Sequence, residues 1–131
     1  MAREFSLRPH HVAVNVRDID AAIAWYGEVL DFEVERLDFI RGFRGRNALL
    51  RHDDFRIELF QNENIVPRPT EQAPAPGTEM LGYRQMAFTV ADLRGFTEML
   101  EKKGADITGR RADGTVIFIR DNSGNVLEFS G

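Results

Sequence analysis

The sequence predicts an α+β domain built from two βαβββ modules, and three observations predict it. The first is a weak internal repeat. HHVAVNVRDI, residues 10–19, lies over RQMAFTVADL, residues 84–93, matching Ala13 with Ala87, Val16 with Val90, Asp18 with Asp92 and Ile19 with Leu93, all at an offset of 74. The second is that each copy changes at Val-x-Asp from strand alternation to helical periodicity. The third is that each helical stretch is followed by three runs of strand-forming residues separated by turn chemistry.

Alternate residues of a strand face opposite ways, so Val12, Val14 and Val16 share one face and His11, Ala13 and Asn15 the other. The valine face is the one to pack on a helix. Asp18 is an N-cap, and the helix after it gathers Ile19, Ile23, Tyr26 and Leu30 on one side. It ends in LDF, where Asp31 occupies a place that glycine fills more easily in a left-handed conformation. FEVERL, NALLRH and FRIELFQ read as strands, the last two joined by HDD at 52–54, which completes a first module over about 8–64. The second module, about 81–131, repeats the order: Asp92 as cap, a helix aligning Leu93, Phe96, Met99 and Leu100, Gly104 as its stop, then ADITGR, TVIFIR and NVLEFS, with DNSG at 121–124 joining the last two. Between the modules, residues 65–80 hold Pro67, Pro69, Pro74 and Pro76, four of the five prolines, and read as an extended connector. The whole, 1–131, is one domain.

A chain of 131 residues buries about two-thirds of its unfolded surface without a staple. It has no cysteine, and MAREFSLRPHH contains no apolar signal segment, so the expected location is cytoplasmic. A net charge of -4 and the lack of a long apolar run exclude nucleic acid and membrane as expected partners. One stretch runs against that balance, RLDFIRGFRGR at 36–46, with Arg36, Arg41, Arg44 and Arg46 beside Phe39 and Phe43. A solvated hairpin is its preferred reading over an anion-binding loop.

Taken alone, His11 reads as an ordinary hydrogen-bonded histidine and His10 as a bystander at a frayed strand start. Glu58 and Glu128, taken alone, read as solvent-facing residues on amphipathic strands. The repeat changes the weighing. It equates His11 with Gln85, and Glu58 with Glu128 at an offset of 70, all on the face away from the helices. If the two sheets curve around one cleft, the four converge, and unpaired carboxylates there would be costly to desolvate. A divalent cation resolves that cost, leaving two octahedral positions for water or substrate.

HHVAVNVRDIDAAIAWYGEVLDFEV, FRIELF, GYRQMAFTVADL and FIRDNSGNVLEFS, in this order, resemble the vicinal oxygen chelate superfamily, most closely its small glyoxalase I-like (lactoylglutathione lyase-like) members, over almost the whole chain. The resemblance implies that the modules pair into a cupped mixed sheet with helices on its convex side, commonly as a homodimer. It implies a metal quartet of His11, Glu58, Gln85 and Glu128, holding one divalent ion among Ni²⁺, Zn²⁺, Co²⁺, Mn²⁺ and Mg²⁺. Gln85 replaces the histidine of close small relatives and favours the oxygen-loving ions. The implied reaction is that of a lyase or isomerase acting on a small substrate with vicinal oxygens through a metal-stabilised enediolate, with Glu128 as proton shuttle and Glu58 as second candidate. Asn62 matches a glutathione-binding position of glyoxalases, whereas Asn15 stands where they carry Arg, which counts against glutathione. The alternative is a metal-free binding protein of the bleomycin-resistance type. A ring-cleaving dioxygenase ranks below both, because it needs a second histidine where Gln85 stands.

Overall fold

The computed structural model of the chain describes residues 5–66 and 81–131. Two βαβββ modules are present in the expected order. The first comprises β1 (Val12–Asn15), α1 (Ile19–Leu30), β2 (Glu33–Leu37), β3 (Gly45–His52) and β4 (Phe55–Asn62). The second comprises β5 (Met86–Thr89), α2 (Leu93–Lys102), β6 (Asp106–Arg110), β7 (Val116–Arg120) and β8 (Val126–Ser130). The prolines of the expected connector lie outside the described residues.

The helix boundaries follow from side-chain chemistry. Asp18 accepts from the Ala21 amide at 3.1 Å and Asp92 from the Gly95 amide at 2.9 Å, each satisfying a backbone donor that the first helical turn leaves free. Gln61 adds a tertiary cap, its Oε1 accepting from the Ile19 amide at 2.7 Å and tying the end of β4 to the start of α1. Asp31 takes the left-handed conformation, φ 57°, at the end of α1, and Gly104 does so after α2 at φ 70°.

Each module folds into a mixed sheet of four strands, ordered β1-β4-β3-β2 and β5-β8-β7-β6. The first and last strands of a module pair in parallel; the other pairs are antiparallel. Even the irregularities repeat, with a register shift between Val34 and Arg36 on β2 and another between Ile107 and Gly109 on β6. Such bulges add local twist to outer strands. The helix-facing side chains merge into one core that includes Val14, Val16, Ile19, Tyr26, Ile57 and Leu59 from the first module and Met86, Leu100, Ile119, Leu127 and Phe129 from the second. No described helix is long and apolar enough to cross a membrane.

The modules are docked through the turn after β7. The Asp121 carboxylate, 6% exposed, accepts from the Ser123 and Asn125 amides on Oδ1, and from the Asn125 side chain and the Tyr26 hydroxyl on Oδ2, all at 2.8–2.9 Å. Burial first, and then Asp121, push the Tyr26 hydroxyl far above its ordinary pKa, so it stays a donor. Around it the Arg17 amide donates to Ser123 Oγ, the Arg17 guanidinium to the Ser123 carbonyl, and Asn125 Nδ2 to the Asn15 carbonyl. Phe88 closes the apolar part of the seam against Phe32 and Phe55. A cavity of about 90 Å³ lies there on the helix side, lined by Phe32, His52, Phe88, Phe96 and Phe129 among others.

Candidate functional site

Register fixes where the two glutamates stand. Glu58 on β4 lies between Ala13 of β1 and Leu49 of β3; Glu128 on β8 lies between Ala87 of β5 and Phe118 of β7. In both modules a small residue flanks the carboxylate on the edge-strand side and a large apolar residue on the other. Their neighbours Ile57, Leu59, Leu127 and Phe129 enter the core, which leaves both glutamates on the face opposite the helices.

Each glutamate meets the residue that precedes the first strand of its own module. His11 Nε2 stands 2.9 Å from Glu58 Oε2, with Glu58 buried and the His11 side chain 37% exposed. Gln85 Nε2 donates to Glu128 Oε2, also at 2.9 Å. The four positions are thus brought together as two pairs. Among the described residues no group of three or more His, Cys, Asp or Glu side chains is placed to hold a metal ion, so the pairs do not merge into a quartet within one chain.

The donor set itself suits an ion. Two ligand atoms about 2.1 Å from one ion, at right angles across it, stand about 3.0 Å apart, close to the separation within each pair. Glu58 supplies a carboxylate, His11 an imidazole nitrogen, Glu128 a second carboxylate, and Gln85 an amide oxygen once its amide is turned over to exchange Nε2 and Oε1.

The surroundings of Glu58 are largely committed. Arg56, on the same face, is taken by a two-pronged pair with Glu35 at 2.9 and 3.1 Å, and that bond holds the Glu35 carboxyl below its ordinary pKa. Asn15 lies exposed at the end of β1, and Asn62 shares its face by register. Asn62 Oδ1 accepts from the Asn64 amide at 3.0 Å, shaping the turn after β4.

The arginine-rich stretch forms the β2–β3 hairpin, as expected of a solvated turn. Arg46 pairs with Asp20 at 2.8 Å and with Asp38 at 3.4 Å, Arg36 stands 5.2 Å over the Phe39 ring, and Arg41 and Arg44 are exposed. Buried Asn47 pins the loop by accepting from the Phe39 amide. Phe43 rests edge-on against Phe60, two residues beyond Glu58, so this loop borders the glutamate's face.

Sequence reasoning missed two features. His10, expected at a frayed strand start, has its Nδ1 2.7 Å from Nδ1 of His11. The Asp121 network was legible only as a turn, because nothing in DNSG announces which surface it docks on.

Two mixed sheets of βαβββ order, each with its glutamate paired on the helix-free face, define a two-module α+β protein. The profile of the Glyoxalase/Bleomycin resistance protein/Dioxygenase superfamily matches residues 8–129, and the chain belongs to that superfamily. No curated protein matches the chain. Among solved structures it is similar to the glyoxalase family protein from Enterococcus faecalis, at 26% identity over 95% of this chain and 97% of that one, with a TM-score of 0.79. It is also similar to the trypanothione-dependent glyoxalase I of Leishmania major, at 21% identity over 96% and 87% of the two chains with a TM-score of 0.75. A third likeness is the fosfomycin resistance protein FosX from Mesorhizobium loti, at 21% identity over 99% and 92% with a TM-score of 0.65. The latter two speak to the fold alone.

Proposed function

We propose that the protein is a glyoxalase I-like, metal-dependent lyase or isomerase of a small substrate with vicinal oxygens, working as a homodimer in which His11 and Glu58 of one copy face Gln85 and Glu128 of the other. One observation carries this reading: the two halves present a nitrogen-bearing side chain and a glutamate in equivalent register, each pair spaced at 2.9 Å on the helix-free face. Docking through Asp121 commits the two modules of one chain to each other in an arrangement that leaves the pairs separate, so a second copy is the natural source of the missing half-site.

His11, Glu58, Gln85 and Glu128 would hold the divalent ion, which would supply Lewis acidity to the substrate. Glu128 moves the proton between neighbouring carbons: it is the more open of the two carboxylates and is held by a neutral amide. Glu58, buried and facing His11, is the fixed anchor. Ala13 and Ala87 leave space over the edge strands beside the carboxylates, where a substrate fits. Asn15 and Asn62 border the same face and offer amides to its polar end.

A second reading, metal-free binding of a small molecule in the bleomycin-resistance manner, is favoured by the direct hydrogen bond of Gln85 to Glu128, which satisfies that pair without an ion. Metal content decides between them. Protein purified without chelator is expected to carry about one divalent ion per chain, and the His11→Ala/Glu58→Ala double variant close to none. Equal, near-zero content in both overturns the enzyme reading and leaves the binding protein. Given metal, α-ketoaldehydes offered with a panel of thiols identify the substrate.

A further inference from the structure

A groove of about 470 Å³ runs between α2 and the β6–β7 hairpin, on the helix side of the second sheet and so on the far side from Glu128. Small-molecule sites occupy roughly 300–1,000 Å³. Buried Leu93, Thr97 and Ile117 form its floor, and exposed Arg94, Arg110 and Arg111 stand along its rim. The first module closes the equivalent place. There Arg46 on β3 reaches Asp20 on α1 at 2.8 Å. Register equates Arg46 with Thr115, since Asn47 faces Phe60 as Val116 faces Ser130, and the offset of 74 equates Asp20 with Arg94. Thr115 is short and its hydroxyl donates to Asp113 at 2.6 Å, so the bridge has no counterpart and the second module stays open.

The charges along the rim do not cancel. Arg110 is committed to Glu101 at 2.6 Å. Arg94 lies 3.6 Å from Glu98 with both side chains in solvent, a contact that binds neither firmly. Arg111 makes no side-chain hydrogen bond or ion pair among the described residues. Three guanidiniums against two carboxylates leave one positive charge in excess. We propose that the groove binds a small organic monoanion, a carboxylate on an apolar stem, with Arg111 and Arg94 taking the carboxylate and the stem lying over Thr97 and Ile117. A planar guanidinium matches a carboxylate with two parallel hydrogen bonds. A dianion such as phosphate brings more charge than the excess, beside Glu98 and Glu101, which repel it. The stem is apolar because the floor offers it no free donor: the Thr97 hydroxyl donates to the Leu93 carbonyl at 2.7 Å. The groove lies apart from both glutamate pairs, so its ligand is independent of the metal-site reading.

The experiment is backbone amide shift mapping by NMR in the full chain, titrated to millimolar concentration with octanoate, with octanamide and with inorganic phosphate. Wild type is compared with Arg111→Gln and Arg94→Gln, both at exposed positions where the fold tolerates the change. Octanoate is expected to shift the amides of α2 and of the β6–β7 hairpin to saturation, and more weakly as salt is raised. Arg111→Gln is expected to weaken octanoate about 10-fold and Arg94→Gln about threefold, and octanamide and phosphate to bind wild type at least about 10-fold more weakly than octanoate. No saturable shift with octanoate, or shifts centred instead on the Phe88 cavity, overturns the site. Octanamide as tight as octanoate overturns the carboxylate, phosphate as tight as octanoate overturns the apolar stem, and an Arg111→Gln affinity within about twofold of wild type overturns the assignment of Arg111.

Discussion

Tyr26 and Asp121 form the contact on which the mutual placement of the modules turns. Tyr26 is fully buried, and its hydroxyl gives the Asp121 carboxylate a donor from the opposite module. Tyr26→Phe keeps the ring and its edge contacts with Trp25 and Phe32 but withdraws that donor. A hydrogen bond to a buried charged group contributes about 1.5–3 kcal/mol, so Tyr26→Phe is expected to lower unfolding stability by about that much in urea titration. A loss under about 0.5 kcal/mol would show that the remaining donors to Asp121 suffice. The residue scale is also where sequence reading was most uneven. Period-two alternation placed Glu58 and Glu128 on the helix-free face correctly, because apolar neighbours on both sides leave only one face to a carboxylate. The rule says nothing of His10's contacts, since parity holds only inside a strand and the strand starts two residues later.

At the scale of elements, caps and stops were readable because they are local chemistry. Asp18, Asp92, Asp31 and Gly104 all stand where their side chains or backbone freedom placed them. Asp31 nonetheless holds a left-handed backbone that costs a side-chain-bearing residue energy. Asp31→Gly is expected to raise stability by about 0.5–1 kcal/mol without altering the ends of α1, measured by thermal unfolding. A lower melting temperature would mean that the Asp31 side chain contributes more than its backbone costs. The paired bulges on β2 and β6 were not legible, because a bulge depends on what the neighbouring strand presents, and no local residue pattern specifies it.

At the scale of the molecule, the repeat announced two modules but not their docking, which rests on a partly buried polar network spanning residues 15 to 125. That docking bears on how the proposed site assembles. If each site takes His11 and Glu58 from one copy and Gln85 and Glu128 from the other, Glu58→Gln and Glu128→Gln chains complement one another. Each variant alone is expected to be inactive. Unfolded and refolded as a mixture, they form mixed dimers with one intact site, and activity returns to about a quarter of wild type, since about half the dimers are mixed and each has one working site of two. A mixture as inactive as its components would assign the site to single chains.

On the proposed assignment, the unlike partners of the two glutamates give the chemistry a handedness. Two equivalent bases flanking a flat carbon would deliver a proton to either side and yield both mirror forms. Here one carboxylate is buried against an imidazole and the other, more open, is held by an amide. On that assignment a duplicated fold becomes an asymmetric reagent: with Glu58 buried and Glu128 more open, the proton arrives from a single side, and a product of one configuration follows.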